Sequence, residues 1–285
     1  MAGQQDEALT PPTWPEVMRR VRARTPARLL VGRVGAAYGT KTQMELRESH
    51  AAARDAVRTE LNIRAIFGAS FLDQWRLFEV STRAGNKQEY LLRPDLGRHF
   101  DDSSRAEILV RCPRSTDLQF AIGDGLSVPA VAAQVPVLIP LLFRSAVARG
   151  WSTGQAFVIR HCRVGILNEI GELLGPTVLV LLIGERPGLA TVESLSAYMA
   201  YRPGPTHTDA NRNLISNIHA RGLSADYAAD RILRLAEQMM TAQTSGCSLR
   251  IEDRNPIPRT LGAETIRSPD FRSRILDGHS EDDSQ

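Results

Sequence analysis

The sequence has little of what marks secreted, membrane-spanning or metal-binding proteins. Its 285 residues include only three cysteines, Cys112, Cys162 and Cys247, whose wide spacing forms neither a metal-binding motif nor a disulfide framework. No apolar run approaches the ~20 residues needed to span a bilayer, and the N-terminus lacks the apolar region of a secretory signal. We therefore expect a protein of the reducing cytoplasm that is not membrane-bound.

The charge is nearly balanced, which argues against a nucleic-acid-binding protein. Lys and Arg number 35 against 32 Asp and Glu, a net charge of +3, and the charges are interspersed rather than gathered in a basic stripe. Hydrophobic residues make up 42% and charged residues 24% of the chain, as in soluble globular proteins. The length fits one large α/β domain or two smaller ones.

Catalytic and metal-binding motifs are missing as well. The glycine-rich stretch GRVGAAYG lacks the G-x-G-x-x-G spacing of dinucleotide-binding loops, and the six histidines include no H-x-x-x-H pair. Ser127 does not lie in a G-x-S-x-G turn. His161 and Cys162 are adjacent, so on a strand they would point to opposite faces. We predict no catalytic residue and no metal ligand in this chain.

Apolar runs alternate with helical patterns along much of the chain, which predicts an α/β fold. Residues 118–122, 156–160 and 178–183 are strand candidates, and the stretch SLSAYMAY is a fourth. A final helix is predicted over 228–244. Strands that alternate with helices imply right-handed crossovers and a mostly parallel sheet flanked by helices.

The same patterns divide the chain into four segments. An N-terminal arm with a short basic helix precedes a helical and α+β subdomain, which is followed by the α/β domain and by a polar tail that we expect to be disordered. The segments are 1–25, 26–104, 105–248 and 249–285.

Turn and proline positions give further expectations. The sequence Ala-Gly-Asn-Lys at 84–87 lies between two short strand candidates and predicts a hairpin. Ser127 is predicted to cap a helix, and Pro136 and Pro140 lie inside that helix, so we expect it to be broken or kinked there. Gly175 is predicted to end the next helix.

Loops at the strand ends are the candidate binding region. In an open α/β sheet, ligands bind outside the carboxyl ends of the strands. Three loops leave such ends, at 123–127, 161–164 and 184–188. We therefore expect Asp124, Val164 and Glu185 to lie near one crevice.

Glu185 and Arg186 stand between Gly and Pro at the end of an apolar strand candidate, and two interpretations of them are open. The Glu185 carboxylate can accept hydrogen bonds from the hydroxyls or amides of a ligand, with Pro187 and the flanking glycines fixing its direction. Alternatively, the segment is a surface turn in which Arg186 pairs with Glu185, which contributes ~0.2–1 kcal/mol.

Several motifs together resemble one family. They are GRVGAAYGTKTQMELRESHAAARDAV, LLRPDLGR, DGLS, GELLGPTVLVLLIGERPGLATVESLSAYMAY and ISNIH. In this order they closely resemble the small (light) subunit of ethanolamine ammonia-lyase. The resemblance covers about 27–246, and GERPG followed by ESLS and ISNIH is its most specific part.

The resemblance implies a Rossmann-like subunit of an adenosylcobalamin-dependent enzyme that converts ethanolamine to acetaldehyde and ammonia by radical chemistry. It also implies a partner, a large barrel-shaped subunit that carries the substrate site, present in equal number. The cobalamin would lie at the interface of the two chains. In such an enzyme the cofactor performs the difficult reaction steps, and the protein binds the cofactor and shields the radical. This agrees with a chain that has candidate binding loops but no group of catalytic residues.

Three cofactor contacts are implied by the resemblance. They are Val164 in HCRVG, Glu185 in GERPG, and Leu214 directly before ISNIH, where well-known members have cysteine. A thiol contact is impossible at Leu214, whereas a backbone or van der Waals contact is not. The cobalamin is expected to keep its dimethylbenzimidazole base on cobalt, and the chain has no D-x-H-x-x-G motif. Arg186 is expected to support the loop or to face the large subunit.

Two functions of other classes remain as alternatives. One is a stand-alone cobalamin or small-molecule binding module without catalytic duty, and the other is a self-sufficient oxidoreductase, against which the missing glycine motif argues. The short arginine-rich arm lacks the separate leading helix that targets some relatives to a bacterial microcompartment. We expect a cytoplasmic location, with the microcompartment as the alternative.

Overall fold

A six-stranded sheet with helices on both faces organises the chain. The computed structural model describes residues 14–23, 25, 29 and 33–250. The strands are β1 (Arg33–Val34), β2 (Ala37–Tyr38), β3 (Glu79–Ser81), β4 (Leu118–Gly123), β5 (Phe157–Arg160), β6 (Val178–Gly184), β7 (Leu195–Tyr201) and β8 (Asn213–Ile218). The helices are α1 (Trp14–Ala23), α2 (Thr40–Arg58), α3 (Ile63–Trp75), α4 (Lys87–Leu92), α5 (Asp102–Arg111), α6 (Val128–Ala148), α7 (Ile166–Leu174) and α8 (Ala225–Ala242).

The strand order in the large sheet is β3-β5-β4-β6-β7-β8, and β1 and β2 form a separate small hairpin. The pairings among β3, β5, β4 and β6 are parallel, whereas β7 and β8 are added antiparallel at one edge. The predicted α/β class and mostly parallel sheet are confirmed, while the Rossmann-like classification stays a prediction. Strand β5 lies on one side of β4 and β6 lies on the other, so the strand order reverses at β4. In open α/β sheets, ligands bind at such a reversal point.

Alternate strand residues supply two separate cores. Phe120 and Ile122 of β4 pack with α3, α6 and α8 on one face, while Leu179 and Leu181 of β6 pack with α5 and α7 on the other. All seven residues of β6 are buried. Its continuous apolar run is therefore the pattern of a strand covered on both faces.

Helix α6 is not broken at its prolines, contrary to one of the two expectations, while a kink there stays a prediction. It runs without interruption from Val128 to Ala148, with Ser127 as its N-cap, although Pro136 and Pro140 lie inside it. Each proline removes a backbone donor and costs about 3 kcal/mol or more. Eight of the helix's residues are buried, and this packing offsets that cost. By length and composition alone the helix would also be a candidate membrane span, but it packs here as a core helix.

The predicted hairpin at 84–87 is wrong, because this segment begins α4. The side chain of Asn86 accepts a hydrogen bond from the backbone N–H of Glu89 at 2.9 Å, and the Glu89 carboxylate accepts from the N–H of Gly85 at 2.7 Å. Asn86 is thus a helix N-cap, and the Asn-x-x-Glu spacing was a capping signal rather than a turn signal.

Other local predictions are confirmed. Gly175 ends α7 with φ of 59°, a left-handed conformation that favours glycine. The predicted final helix corresponds to α8, which begins three residues earlier, and the basic helix of the arm corresponds to α1.

The four-segment division stays a prediction. The large sheet runs across its boundary at 104/105, because β3 pairs with β5. Most of the predicted tail, 251–285, lies outside the described residues.

Candidate functional site

A cavity of about 390 Å³ lies at the carboxyl ends of β4, β5 and β6. The loops that follow these three strands line it, as the strand-end rule predicted. Strands β7 and β8 contribute further walls through Ser196, Tyr198, Ser216 and Asn217, and α4 contributes Tyr90. The crevice therefore combines backbone, hydroxyl, amide and apolar surface.

All three residues that the resemblance assigned to a cofactor line this one cavity. Val164 follows β5 and is half-buried against the core beside α7, Glu185 follows β6, and Leu214 lies on the edge strand β8 with 48% of its surface exposed. The structure thus brings together positions that are 50 residues apart in the chain. Their role in binding a cofactor stays a prediction.

The carboxylate of Glu185 is held by three donors of its own chain. One oxygen accepts from the Ser194 hydroxyl at 2.6 Å, and the other accepts from the Ser196 hydroxyl at 2.5 Å and from the backbone N–H of Asn217 at 3.0 Å. A carboxylate has about four acceptor sites, so part of its capacity is left for a ligand. These bonds join the end of β6 to β7 and β8 and fix the direction of the side chain.

Arg186 was expected to support its loop or to face the large subunit, and of these only the second stays a prediction. In the described part of the chain its side chain forms neither an ion pair with Glu185 nor a hydrogen bond, and it is exposed on the wall of the cavity. The interpretation of this segment as a surface turn stabilised by a Glu185–Arg186 pair is therefore wrong.

Asp124 lies beneath the cavity rather than on its wall. It is fully buried, and its two oxygens accept from the backbone N–H groups of His161 at 3.0 Å and Cys162 at 2.8 Å. The ammonium of Lys87, itself buried, lies 3.4 Å from the same carboxylate. Asp124 therefore ties the β4 loop to the β5 loop and to α4, and its function is structural.

Sequence reasoning missed Tyr90, which supports the cavity from α4. It is completely buried, and its hydroxyl donates to the Cys162 carbonyl at 2.9 Å. The centre of its ring is 4.9 Å from the Lys87 ammonium and 4.1 Å from the Arg163 guanidinium. Burial raises the pKa of Tyr90 far above its ordinary value, so the phenol stays a neutral donor. The Asn-x-x-Glu capping signal could have located α4, but not its position against β5.

The cavity has no nucleophile activated for covalent chemistry. Burial raises the pKa of the Cys162 thiol well above its ordinary value, so no thiolate forms near neutral pH. The His161 ring points elsewhere, toward the Ala84 carbonyl at 2.9 Å and the Glu60 carboxylate at 3.2 Å. The described residues also contain no group of three or more His, Cys, Asp or Glu that could hold a metal ion.

Fold and cavity together define an α/β protein with a crevice at the carboxyl ends of its parallel strands, and none of the described residues that line this crevice forms a nucleophile–base pair. The sequence model described as "Ethanolamine ammonia-lyase light chain (EutC)" matches residues 15–250. The chain belongs to the ethanolamine ammonia-lyase light chain family, and the resemblance found in its motifs is confirmed.

Curated relatives agree with this assignment. A protein named ethanolamine ammonia-lyase small subunit from Clostridium perfringens is 37% identical over 235 residues, which are 82% of this chain and 78% of the relative. Proteins of the same name from Rhodopseudomonas palustris and Bradyrhizobium diazoefficiens are each 38% identical and cover 88% and 87% of this chain, and 96% and 97% of their own lengths.

Proposed function

We propose that this chain is the subunit of an adenosylcobalamin-dependent ethanolamine ammonia-lyase that encloses part of the cofactor but does not bind the substrate. The observation that carries this proposal is the meeting of Val164, Glu185 and Leu214 in one cavity at the sheet's reversal point. The reaction converts ethanolamine to acetaldehyde and ammonia. The assembly is proposed to be cytoplasmic, with a bacterial microcompartment as the alternative location.

The lining suits the edge of a corrin cofactor. Corrin side chains are neutral amides separated by methyl groups, and the cavity offers Glu185, Ser216 and Asn217 as hydrogen-bonding groups beside the apolar Val164 and Leu214. No histidine is among the described residues that line the cavity, and the cofactor is proposed to keep its dimethylbenzimidazole base on cobalt. When bound, the cofactor supplies a carbon radical by homolysis of its cobalt–carbon bond.

A second chain is needed to complete the enclosure. The volume of about 390 Å³ lies at the lower end of the ~300–1,000 Å³ that drug-sized ligands occupy, and adenosylcobalamin is much larger than such a ligand. We therefore propose that the large, barrel-shaped subunit covers the rest of the cofactor, in equal number with this chain. The hydroxyl and amide groups of β7 and β8 then hold one edge of the cofactor and exclude water from it.

Co-expression with a candidate large subunit tests the proposal. The expected result is a stable complex that takes up adenosylcobalamin, changes its visible spectrum on addition of ethanolamine, and forms acetaldehyde. A chain that binds the cofactor equally well alone, and gains no activity from the partner, would instead be a stand-alone binding module. A complex without cofactor uptake would overturn the proposal.

Glu185→Ala is expected to weaken cofactor binding in the assembled enzyme. The loss should correspond to about 1–3 kcal/mol, because the cofactor group that this half-buried carboxylate accepts from and the three internal donors lose their acceptor. Equilibrium titration of the apo complex with adenosylcobalamin measures the change in Kd. The matched control is Glu193→Ala, which removes the same charge from an exposed position close by in the chain. Equal Kd values for the two variants would remove Glu185 from the site.

A further inference from the structure

The cavity wall carries two arginines without a carboxylate partner. The Arg186 side chain is exposed and forms no ion pair or hydrogen bond with another described residue. Arg163 follows β5, and one of its terminal nitrogens donates to the Tyr90 carbonyl at 3.0 Å, while its Nε is buried with no hydrogen-bond partner. Unlike the buried Lys87, which is paired with Asp124, these two guanidiniums retain uncompensated charge.

Two helix N-termini add positive potential at the same place. Leu126 lines the cavity directly before Ser127, the N-cap of α6, and Val164 lines it directly before Gly165, the N-cap of α7. The dipole of a helix places about half a positive charge at its N-terminus, which favours anions. The residues that precede these two N-caps line the crevice together with the two arginines.

Negative charge on the wall does not cancel this field. Glu185 is the one carboxylate that lines the cavity, and its oxygens already accept three hydrogen bonds. Burial raises the pKa of both Tyr90 and Tyr198, and the nearby Glu185 carboxylate raises that of Tyr198 further, so neither phenol ionises near neutral pH. The cavity therefore presents two positive side chains against one negative side chain.

We propose that Arg163 and Arg186, which flank one cavity beside the N-termini of α6 and α7, bind the phosphodiester of the cofactor's nucleotide tail. This inference rests on the proposed function. The phosphodiester is the one anionic group of adenosylcobalamin, since the corrin side chains are neutral amides that need no uncompensated cation. Guanidinium groups bind phosphate oxygens through charge-assisted, often bidentate hydrogen bonds. The assignment orients the cofactor with its nucleotide tail toward the loops after β5 and β6.

The test compares two ligands, of which only one carries the nucleotide tail. Adenosylcobinamide lacks the nucleotide tail and its phosphodiester, whereas adenosylcobalamin has both. Kd values of both ligands are measured by equilibrium dialysis with the complex of this chain and its large subunit. Arg186→Ala is expected to raise the Kd of adenosylcobalamin by about tenfold to a hundredfold, and to leave the Kd of adenosylcobinamide almost unchanged. Arg186→Lys should keep part of the affinity for adenosylcobalamin, because the charge remains.

Arg144→Ala is the matched control. It removes one exposed arginine of α6, roughly 24 Å along the helix axis from the cavity end, which is beyond the Debye length at physiological salt. Both ligands should bind this variant as they bind the wild type. Arg163→Ala is measured together with its thermal unfolding, because Arg163 also packs on Tyr90.

The outcomes separate the two proposals. An equal loss of affinity for both ligands in Arg186→Ala, or no loss for either, would overturn the phosphate assignment while the proposed function stands. If the wild-type complex binds neither ligand, the proposed function falls and the assignment falls with it. A selective loss of adenosylcobalamin affinity supports both.

Discussion

Asp124→Ala is expected to lower the free energy of unfolding by about 3–5 kcal/mol, because it leaves the buried Lys87 ammonium without its counter-charge. The backbone N–H groups of His161 and Cys162 lose their acceptors at the same time. Urea unfolding of the co-purified complex, at one protein concentration for all variants, measures the difference. Cofactor affinity should fall as well, since both loops that Asp124 joins line the cavity.

An exposed ion pair supplies the control for Asp124. Asp230 pairs with Arg234 at 2.9 Å on α8, where both side chains are about half exposed. Asp230→Ala should therefore lower the free energy of unfolding by only about 0.2–0.5 kcal/mol. Lys87→Met, combined with Asp124→Ala, removes both buried charges and should recover part of the loss. If Asp124→Ala costs no more than Asp230→Ala, the buried pair does not hold the loops together.

The parts of the fold that were predictable are those where local pattern and packing agree. The run from Val178 to Ile183 could be identified as a strand because both faces of β6 are buried, so no polar alternation was needed. The prolines of α6 were misleading, since their local cost is outweighed by core packing that only the folded chain supplies. Asn86 was misassigned because asparagine favours both turns and helix N-caps.

The sequence predicted the site residues in loops that follow parallel strands. It did not predict contacts between residues that are far apart in the chain. Val164 and Glu185 were placed together by the rule that loops after parallel strands share one edge. Leu214 was predicted from the family resemblance alone. It lies on β8, which pairs antiparallel with β7, so the rule for loops after parallel strands does not apply to it. Lys87 and Asp124 are 37 positions apart and are paired only by the tertiary structure, so no local sequence pattern predicts their contact.

Gly184→Ala is expected to disrupt the cavity more than any change to a side chain on its wall. Gly184 ends β6, and a Cβ atom added to it would overlap the backbone carbonyl oxygens of Asp124 and Ser127 in the β4–α6 loop. The same loop is tied to Gly184 by a hydrogen bond from the Leu126 N–H to the Gly184 carbonyl at 3.1 Å. Backbone atoms cannot rotate away, so the strand end and the loop must separate, at a cost of about 1–3 kcal/mol or more.

That separation would displace both sides of the crevice that we propose binds the cofactor. Gly125 and Glu185 flank the point of contact, so adenosylcobalamin affinity is expected to fall at least about tenfold in the assembled enzyme, beyond the effect on stability. Gly188→Ala is the matched control, because a Cβ there would meet nothing closer than the Ala190 nitrogen at 3.9 Å. Titration and urea unfolding of both variants check the expectation, and unchanged affinity in Gly184→Ala would show that the crevice does not depend on this close contact.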